Sequence, residues 1–115
     1  MAEPANDLRL LILIARDEAA LDELVTGILD AGLTGATILE SRGLGAVLRQ
    51  DLPVFAGIAA LLPQHTGSRV VLSLTEQANI DRLQQYIDEM PRERRPIGMQ
   101  FAVERAFGLD DSKGA

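Results

Sequence analysis

Apolar residues follow two patterns along the chain, and each pattern occurs twice. The runs LLILIA at 10–15 and VVLSL at 70–74 are nearly continuous, as is typical of buried strands. Apolar residues at helical spacing follow each run, which predicts an amphipathic helix. These residues are Leu21, Leu24, Val25 and Ile28 after the first run, and Ile80, Leu83 and Ile87 after the second. The chain therefore repeats a strand–helix unit.

The two units also align residue by residue. The segment RLLILIARDEAALDELVTGIL from Arg9 matches RVVLSLTEQANIDRLQQYID from Arg69 when one residue of the first copy is skipped. A further strand is predicted after each helix, at residues 36–42 (ATILESR) and 99–107 (MQFAVERAF), because Phe101 and Val103 alternate with polar or small neighbours. The predicted order is βαββαβ.

With right-handed crossovers this order predicts an α+β fold of the ferredoxin-like type. Its four-stranded antiparallel sheet has strand order 4-1-3-2, with two helices on one face. We expect one domain over residues 8–109 and flexible tails at 1–7 and 110–115. The two central strands are apolar on both faces, but one chain has helices for only one face. We therefore predict a closed homo-oligomer in which another copy covers the second face.

The connection at 46–68, between the second and third strands, is apolar in its middle. Pro53 favours a helix start, and apolar residues follow at Val54, Phe55, Ile58, Leu61 and Leu62. We predict a short extra helix beginning at Pro53. It either packs on the sheet edge or subunit boundary, or serves as a ligand-sensitive or partner-docking element.

Composition and charge exclude several classes of function. The 115 residues are 47% hydrophobic and 3% aromatic, with a formal net charge of −6. An acidic chain does not suit nucleic-acid binding, which needs clustered Lys and Arg. The absence of cysteine excludes disulfides, thiolate metal sites and a cysteine nucleophile. The amino terminus has no basic leader and no membrane-spanning run, so we expect a cytoplasmic protein without membrane insertion.

No catalytic constellation is visible in the sequence. The sole histidine, His65, is read as a loop residue, since one imidazole without cysteine or a spaced acidic partner is a poor metal site. No Ser, His and Asp set, phosphate-binding loop or metalloprotease helix is present. We predict a protein that is not an enzyme and holds no metal.

Glycine is concentrated in GLTGATILESRGLG at 32–45, with Gly32, Gly35, Gly43 and Gly45 around one predicted strand. Glycine serves where φ is positive or where another group approaches the backbone closely. Two interpretations are open: ordinary turns at both ends of a strand, or one wall of a binding site.

This segment resembles the second-strand region of nitrogen-regulatory PII proteins, in which a Gly-Thr-Gly pattern leads into a strand that ends in Gly-x-Gly. FAGI at 55–58, LLP after it, the RVVLSLTEQANIDRLQQYID copy and a Phe-Gly-Leu near the end extend the resemblance over 8–109. FAGI is more similar to the PII-like relatives than to the typical regulators. The chain thus resembles a divergent PII-like signalling protein.

The resemblance implies a homotrimer with inward-facing sheets. It also implies a small effector in the clefts between subunits, with ATP, ADP or AMP as candidates, and regulation of a protein partner, such as an enzyme, transporter or regulator. The positions that it indicates for ligand binding are Thr34, Gly35, Arg42, Gly43, Gly45, Arg95 and Gly98.

The departures from the family pattern are also specific. The only tyrosine, Tyr86, falls inside the second helix, so modification of a loop tyrosine is excluded. PRERRP stands in place of the glycine-rich phosphate loop and its lysine, and the paired arginines beyond the last strand are missing. Arg92, Arg94 and Arg95 either bind an anion or form a solvated cluster at a helix end.

Three functions are consistent with the sequence. The first is a PII-like sensor that binds a nucleotide and controls a partner through the connection. The second is a trimeric interaction or scaffold protein of the same fold without nucleotide binding. The third, an amino-acid-sensing or metal-tolerance protein of this topology, rests on analogy of fold alone.

Overall fold

The computed structural model describes residues 7–50, 54, 56–59, 61 and 68–109. The strands are β1 (Leu8–Ala15), β2 (Thr37–Ser41), β3 (Ser68–Glu76) and β4 (Ile97–Ala102). The helices are α1 (Glu18–Asp30), α2 (Leu44–Gln50), α3 (Ala56–Ala59) and α4 (Gln77–Asp88), and a 3₁₀ turn at Arg92–Arg94 precedes β4.

The four strands form one antiparallel sheet in the order β2-β3-β1-β4. This is the strand order predicted from the sequence, and α1 and α4 cover one face of the sheet as predicted. The ferredoxin-like fold is therefore confirmed.

The main core lies between the helices and alternate residues of the two central strands. Leu11 and Leu13 of β1 and Val71 of β3 are buried on this face. The helices contribute the apolar residues of their predicted stripes, which are Leu21, Leu24, Ile28, Ile80 and Leu83. The helical spacing in the sequence thus identified the buried side of both helices.

The opposite side of the sheet, here called the open face, is apolar as well. Strand register places Ile12 of β1 between Leu72 of β3 and Met99 of β4 on this side. The open face consists of Leu10, Ile12, Ile14, Leu39, Val70, Leu72, Leu74, Ile97, Met99 and Phe101. Its outer members are exposed, including Phe101 at 51%. An apolar patch of this kind marks an interaction surface.

Two predicted strand boundaries are corrected by the structure. β4 was expected over 99–107 but spans Ile97–Ala102, because its partner β1 begins at Leu8, whose carbonyl accepts the last ladder hydrogen bond, from the backbone N–H of Val103 (3.4 Å). Phe107, expected in the strand, therefore lies beyond it and is exposed. β2 is one residue shorter at each end than the predicted 36–42.

The described part of the connection between β2 and β3 contains two helices rather than the one predicted. α3 lies within the predicted stretch, but its described helical residues begin at Ala56, and Pro53, Phe55 and Leu62 lie outside the described residues. α2 was not predicted, since the Gly-x-Gly signal pointed to a turn.

Gly27 allows α1 and α4 to approach closely. A Cβ atom at this position would lie 2.4 Å from Cδ1 of the Tyr86 ring. The ring is also held from its other end, because the Tyr86 hydroxyl donates a hydrogen bond to the Glu23 carbonyl (2.9 Å). Close packing of the Tyr86 ring therefore accounts for a glycine in the middle of α1, despite the poor helix propensity of glycine.

We expect Gly27→Ala to lower the free energy of unfolding by about 1–2 kcal/mol, since overpacking costs ~1–3 kcal/mol and alanine's helix propensity returns only part of it. Chemical denaturation measures the change. Gly57→Ala in α3 is the matched control, because a Cβ there meets nothing within 4 Å. Equal stability of the two variants would show that the Tyr86 ring does not limit the approach of the helices.

Candidate functional site

The residues predicted to contact a ligand lie at separate places in one subunit. They are Thr34 and Gly35 in the turn before β2; Arg42, Gly43 and Gly45 just after β2; and Arg95 and Gly98 at the start of β4. The structure brings residues together within each group but does not bring the groups together. That these residues bind a ligand stays a prediction.

Strand order explains the separation. β2 and β4 are the two edge strands, with β3 and β1 between them, so three strand spacings of ~4.8 Å, roughly 14 Å in all, separate them. The ends of the strands add a second relation. Ser41 pairs with Ser68, and Ile14 with Ile97, so the end of β2 and the start of β4 lie at the same end of the sheet.

Thr34 lies at the opposite end of β2, in a turn that is defined by the end of α1. The backbone N–H of Leu33 donates to the Ile28 carbonyl (3.1 Å), and that of Gly32 to the Leu29 carbonyl (3.1 Å). This pattern is the Schellman motif, which requires a left-handed residue at Gly32, and its φ is +89°. The turn therefore accounts for the glycine at position 32. Leu33 is fully buried and anchors the turn next to Thr34.

Polar groups of α4 hold the same turn from the side. Arg82 Nη2 donates to the Ala31 carbonyl (3.3 Å) and also to the side-chain oxygen of Asn79. The amide of Asn79 in turn donates to Thr75 Oγ1 (2.9 Å) in β3. This network connects the sheet, α4 and the end of α1, and so fixes the backbone that carries Thr34.

The second group stands where the connection leaves the sheet. At this neck, the hydroxyls of Ser41 and Ser68 hydrogen-bond to each other (2.5 Å). Arg69 pairs with Glu18 at the start of α1 (2.7 Å) and reaches Glu40 at 4.0 Å. Strands, helix and connection are thus tied together beside Arg42 and Gly43.

The expected glycine turn at 43–45 is not observed. The Val47 N–H donates to the Gly43 carbonyl (3.1 Å) as the first turn of α2, and Gly45 is buried inside that helix. Gly32 and Gly108 are the glycines with positive φ in the described part of the chain. Local backbone strain therefore does not require glycine at 43 or 45, and close approach of another group is the interpretation left for them.

The third group combines a cation with a helix end. Arg95 Nε donates to the Met90 carbonyl (3.0 Å), and its Nη2 donates to the Asp88 carbonyl (2.7 Å). α4 has no basic residue in its last turn, so Arg95 provides the cation that this end of a helix favours. Arg94 pairs with Glu23 (3.3 Å). Arg92 and Arg94 are exposed, and Arg95 is partly buried.

A groove of about 390 Å³ lies beside the third group, between α4 and β4. Its floor is Leu11 and Leu13 of β1. Its walls and rim are Ile80, Leu83, Gln84, Ile87 and Asp88 of α4, and Arg95, Pro96, Gly98, Met99 and Gln100 around β4. We call it the α4–β4 groove. Its volume is in the range of ligand pockets.

The rim of this groove was not predicted from the sequence. Gln84 follows Leu83 at the border of the apolar stripe of α4, which helical spacing does indicate. The facing residue, Gln100, exchanges side-chain amide hydrogen bonds with Gln77 (2.8 and 3.1 Å). That pairing depends on how β4 aligns with β1, and a single sequence does not encode that alignment visibly.

No group of three or more His, Cys, Asp or Glu side chains able to hold a metal lies within the described ranges. Among those residues there is also no helix long and apolar enough to cross a membrane. His65 lies outside them.

Comparison with known structures supports the resemblance noted from the sequence. A solved structure from Thermus thermophilus, described as a PII-like signalling protein, matches 82% of this chain and 83% of its own, with a TM-score of 0.52 and 19% identity. At this identity the match establishes the fold, and the expected PII-like fold is confirmed. No protein-family model and no curated protein sequence matches the chain.

We expect Arg95→Met to lower the free energy of unfolding by about 1 kcal/mol, because it removes charge-assisted hydrogen bonds to the carbonyls at the end of α4. Arg92→Met, in the same turn, is the control and should leave stability unchanged. Denaturant titration of both variants measures this. If they proved equally stable, Arg95 would not act as a helix cap.

Proposed function

We propose that this protein is a PII-like signal-transduction protein that acts as a homotrimer in the cytoplasm. It binds a small effector, an adenine nucleotide, in clefts between subunits and controls a protein partner through the connection between β2 and β3. The observation that carries the proposal is the placement of the predicted site residues on opposite edges of one PII-like sheet.

The open face supports assembly. One chain covers only the helix side of the sheet, and Ile12, Leu72 and Met99 lie at the middle of an apolar surface on the other side. Burial of apolar area contributes about 25 cal/mol for each Å² removed from water. Self-association of this face is therefore favourable, and the PII-like fold suggests three copies.

The edge positions support a shared site. The β2 and β4 edges lie roughly 14 Å apart across one sheet, so a ligand that touches both Gly43 and Gly98 is better served by the β2 edge of one subunit and the β4 edge of the next. Thr34 precedes the other end of β2, whose five residues span about 17 Å, a separation that suits an elongated ligand such as a nucleotide. The connection begins at this cleft, so an effector there can favour one of its conformations.

The assigned roles are those of binding residues. Thr34 provides a hydroxyl, Gly43, Gly45 and Gly98 allow backbone approach, and Arg42 and Arg95 provide positive charge. No catalytic residue is assigned.

One observation favours the second candidate, a trimeric scaffold without nucleotide binding. Arg95 already donates to two backbone carbonyls at the end of α4, a role that accounts for its presence without any anion. In that case the open face would still assemble the protein, and the clefts would be empty of nucleotide.

The oligomer is tested by sedimentation. We expect the native chain of 12.4 kDa to sediment as a trimer of about 37 kDa, and Met99→Lys to dissociate it, because a buried lysine without a partner is strongly unfavourable. Leu29→Lys is the control, since Leu29 is exposed on α1 and a cation suits the last turn of a helix. A monomeric native protein would contradict the proposal.

The ligand is tested by isothermal titration with ATP, ADP and AMP, each with and without magnesium. We expect saturable binding that Thr34→Ala weakens about fivefold to tenfold, the effect of losing one hydrogen bond of ~1 kcal/mol. Thr26→Ala, at an exposed position of α1, should bind like the native protein. A stable trimer that binds none of these nucleotides would favour the scaffold.

A further inference from the structure

The connection displays apolar side chains that its own subunit leaves uncovered. Val54 and Leu61 are each 83% exposed, and Ile58 is 54% exposed. α2 and α3 contact each other more than either contacts the sheet, α1 or α4. Apolar side chains presented in this way in and around one short helix indicate a docking surface.

The α4–β4 groove has a size and an apolar lining that suit these exposed side chains. Its floor and inner wall are aliphatic, from Leu11, Leu13, Ile80, Leu83 and Ile87. It exists because α4 packs mainly over β1 and β3, and all the residues of β4 are exposed. Gly98 keeps it open from the strand side, since a Cβ there would approach Leu13 to 3.0 Å.

The proposed cleft would bring these two features next to each other, and the inference rests on that part of the proposed function. The connection leaves β2 at Ser41, and the groove opens at Pro96 and Gly98, at the same end of the sheet but on the opposite edge. When the β2 edge of one subunit lies against the β4 edge of the next, the connection emerges beside its neighbour's groove.

The length of α2 also agrees with the length of the groove. α2 has seven residues, which gives a rise of about 10 Å before the chain continues to α3. The groove runs along β4 from Pro96 to Gln100, a distance of about 13 Å. An α2–α3 pair that lies along β4 would therefore place the exposed side chains of α3 over the aliphatic floor.

We propose that α3 of one subunit, together with Leu61 just after it, docks in the α4–β4 groove of the neighbouring subunit, with Ile58 and Leu61 as the inserted side chains. Docking covers the apolar surface of the connection and makes it inaccessible to a partner protein. Arg95 borders both the groove and the proposed cleft, so an effector bound there biases the connection between docked and released states.

Site-specific cross-linking tests the contact, and the native chain has no cysteine to interfere. Chains carrying Ile58→Cys are co-expressed with differently tagged chains carrying Gln84→Cys, and the purified assembly is treated with a short bismaleimide. The matched control replaces Gln84→Cys by Gln85→Cys. Both glutamines are exposed, but Gln84 lines the α4–β4 groove and Gln85 lines the opposite flank of α4, beside Gly27.

We expect the cross-link between the two tagged chains to form about tenfold faster with Gln84→Cys than with Gln85→Cys, as a clearly preferred docked state requires. Equal rates, or no cross-link in an assembly that sediments as a trimer, would overturn the docking and leave the proposed function standing. Native protein that sediments as a monomer would overturn both. Because each chain carries one cysteine, a cross-link between different tags reports contact between subunits only.

Discussion

The antiparallel register of β1 with its two neighbours is the constraint on which the other features depend. It sends Leu11 and Leu13 to the helices and Ile12 and Ile14 to the open face, so both faces of the central strands are apolar. A slip of one residue would exchange the two sets without making either face polar. Helices cover one face within the chain, and the same register therefore creates the need for a partner on the other.

Arginines of the second half of the repeat stabilise the ends of both helices. Neither α1 nor α4 has a basic residue in its last turn, although a cation there is favourable. Arg82, from α4, donates to the carbonyl of Ala31, the C-cap residue of α1. Arg95, beyond the 3₁₀ turn, donates to the Asp88 and Met90 carbonyls at the end of α4. Each cap also positions a segment that carries predicted ligand residues, Thr34 in one case and Gly98 in the other. Structural capping and the geometry of the site therefore involve the same side chains.

The sequence predicted the parts of the fold that depend on periodicity. Unbroken apolar runs and helical stripes gave the βαββαβ order and the buried side of both helices, because burial acts on every residue of these elements. The predicted end of β4 was wrong because the observed end is determined by where β1 begins. α2 was missed because Gly43 and Gly45 read as a turn, and the α4–β4 groove was missed because its two walls meet only through strand register. Features that depend on a distant segment leave little trace in local pattern.

Edge placement also has a thermodynamic consequence for the proposed site. Residues on β2 and β4 cannot form one wall in a single subunit, so a ligand that needs both binds only the assembled protein. Binding and assembly are then linked, and each strengthens the other by the same free energy. The connection leaves the sheet at a neck formed by Arg69 and the Ser41–Ser68 hydrogen bond. This neck lies at the end of the sheet where β2 ends and β4 begins. A ligand in the cleft would thus bind beside these contacts. Because they hold the first residues of the connection to the strands and to α1, a small shift of the backbone there would move the connection more than the core.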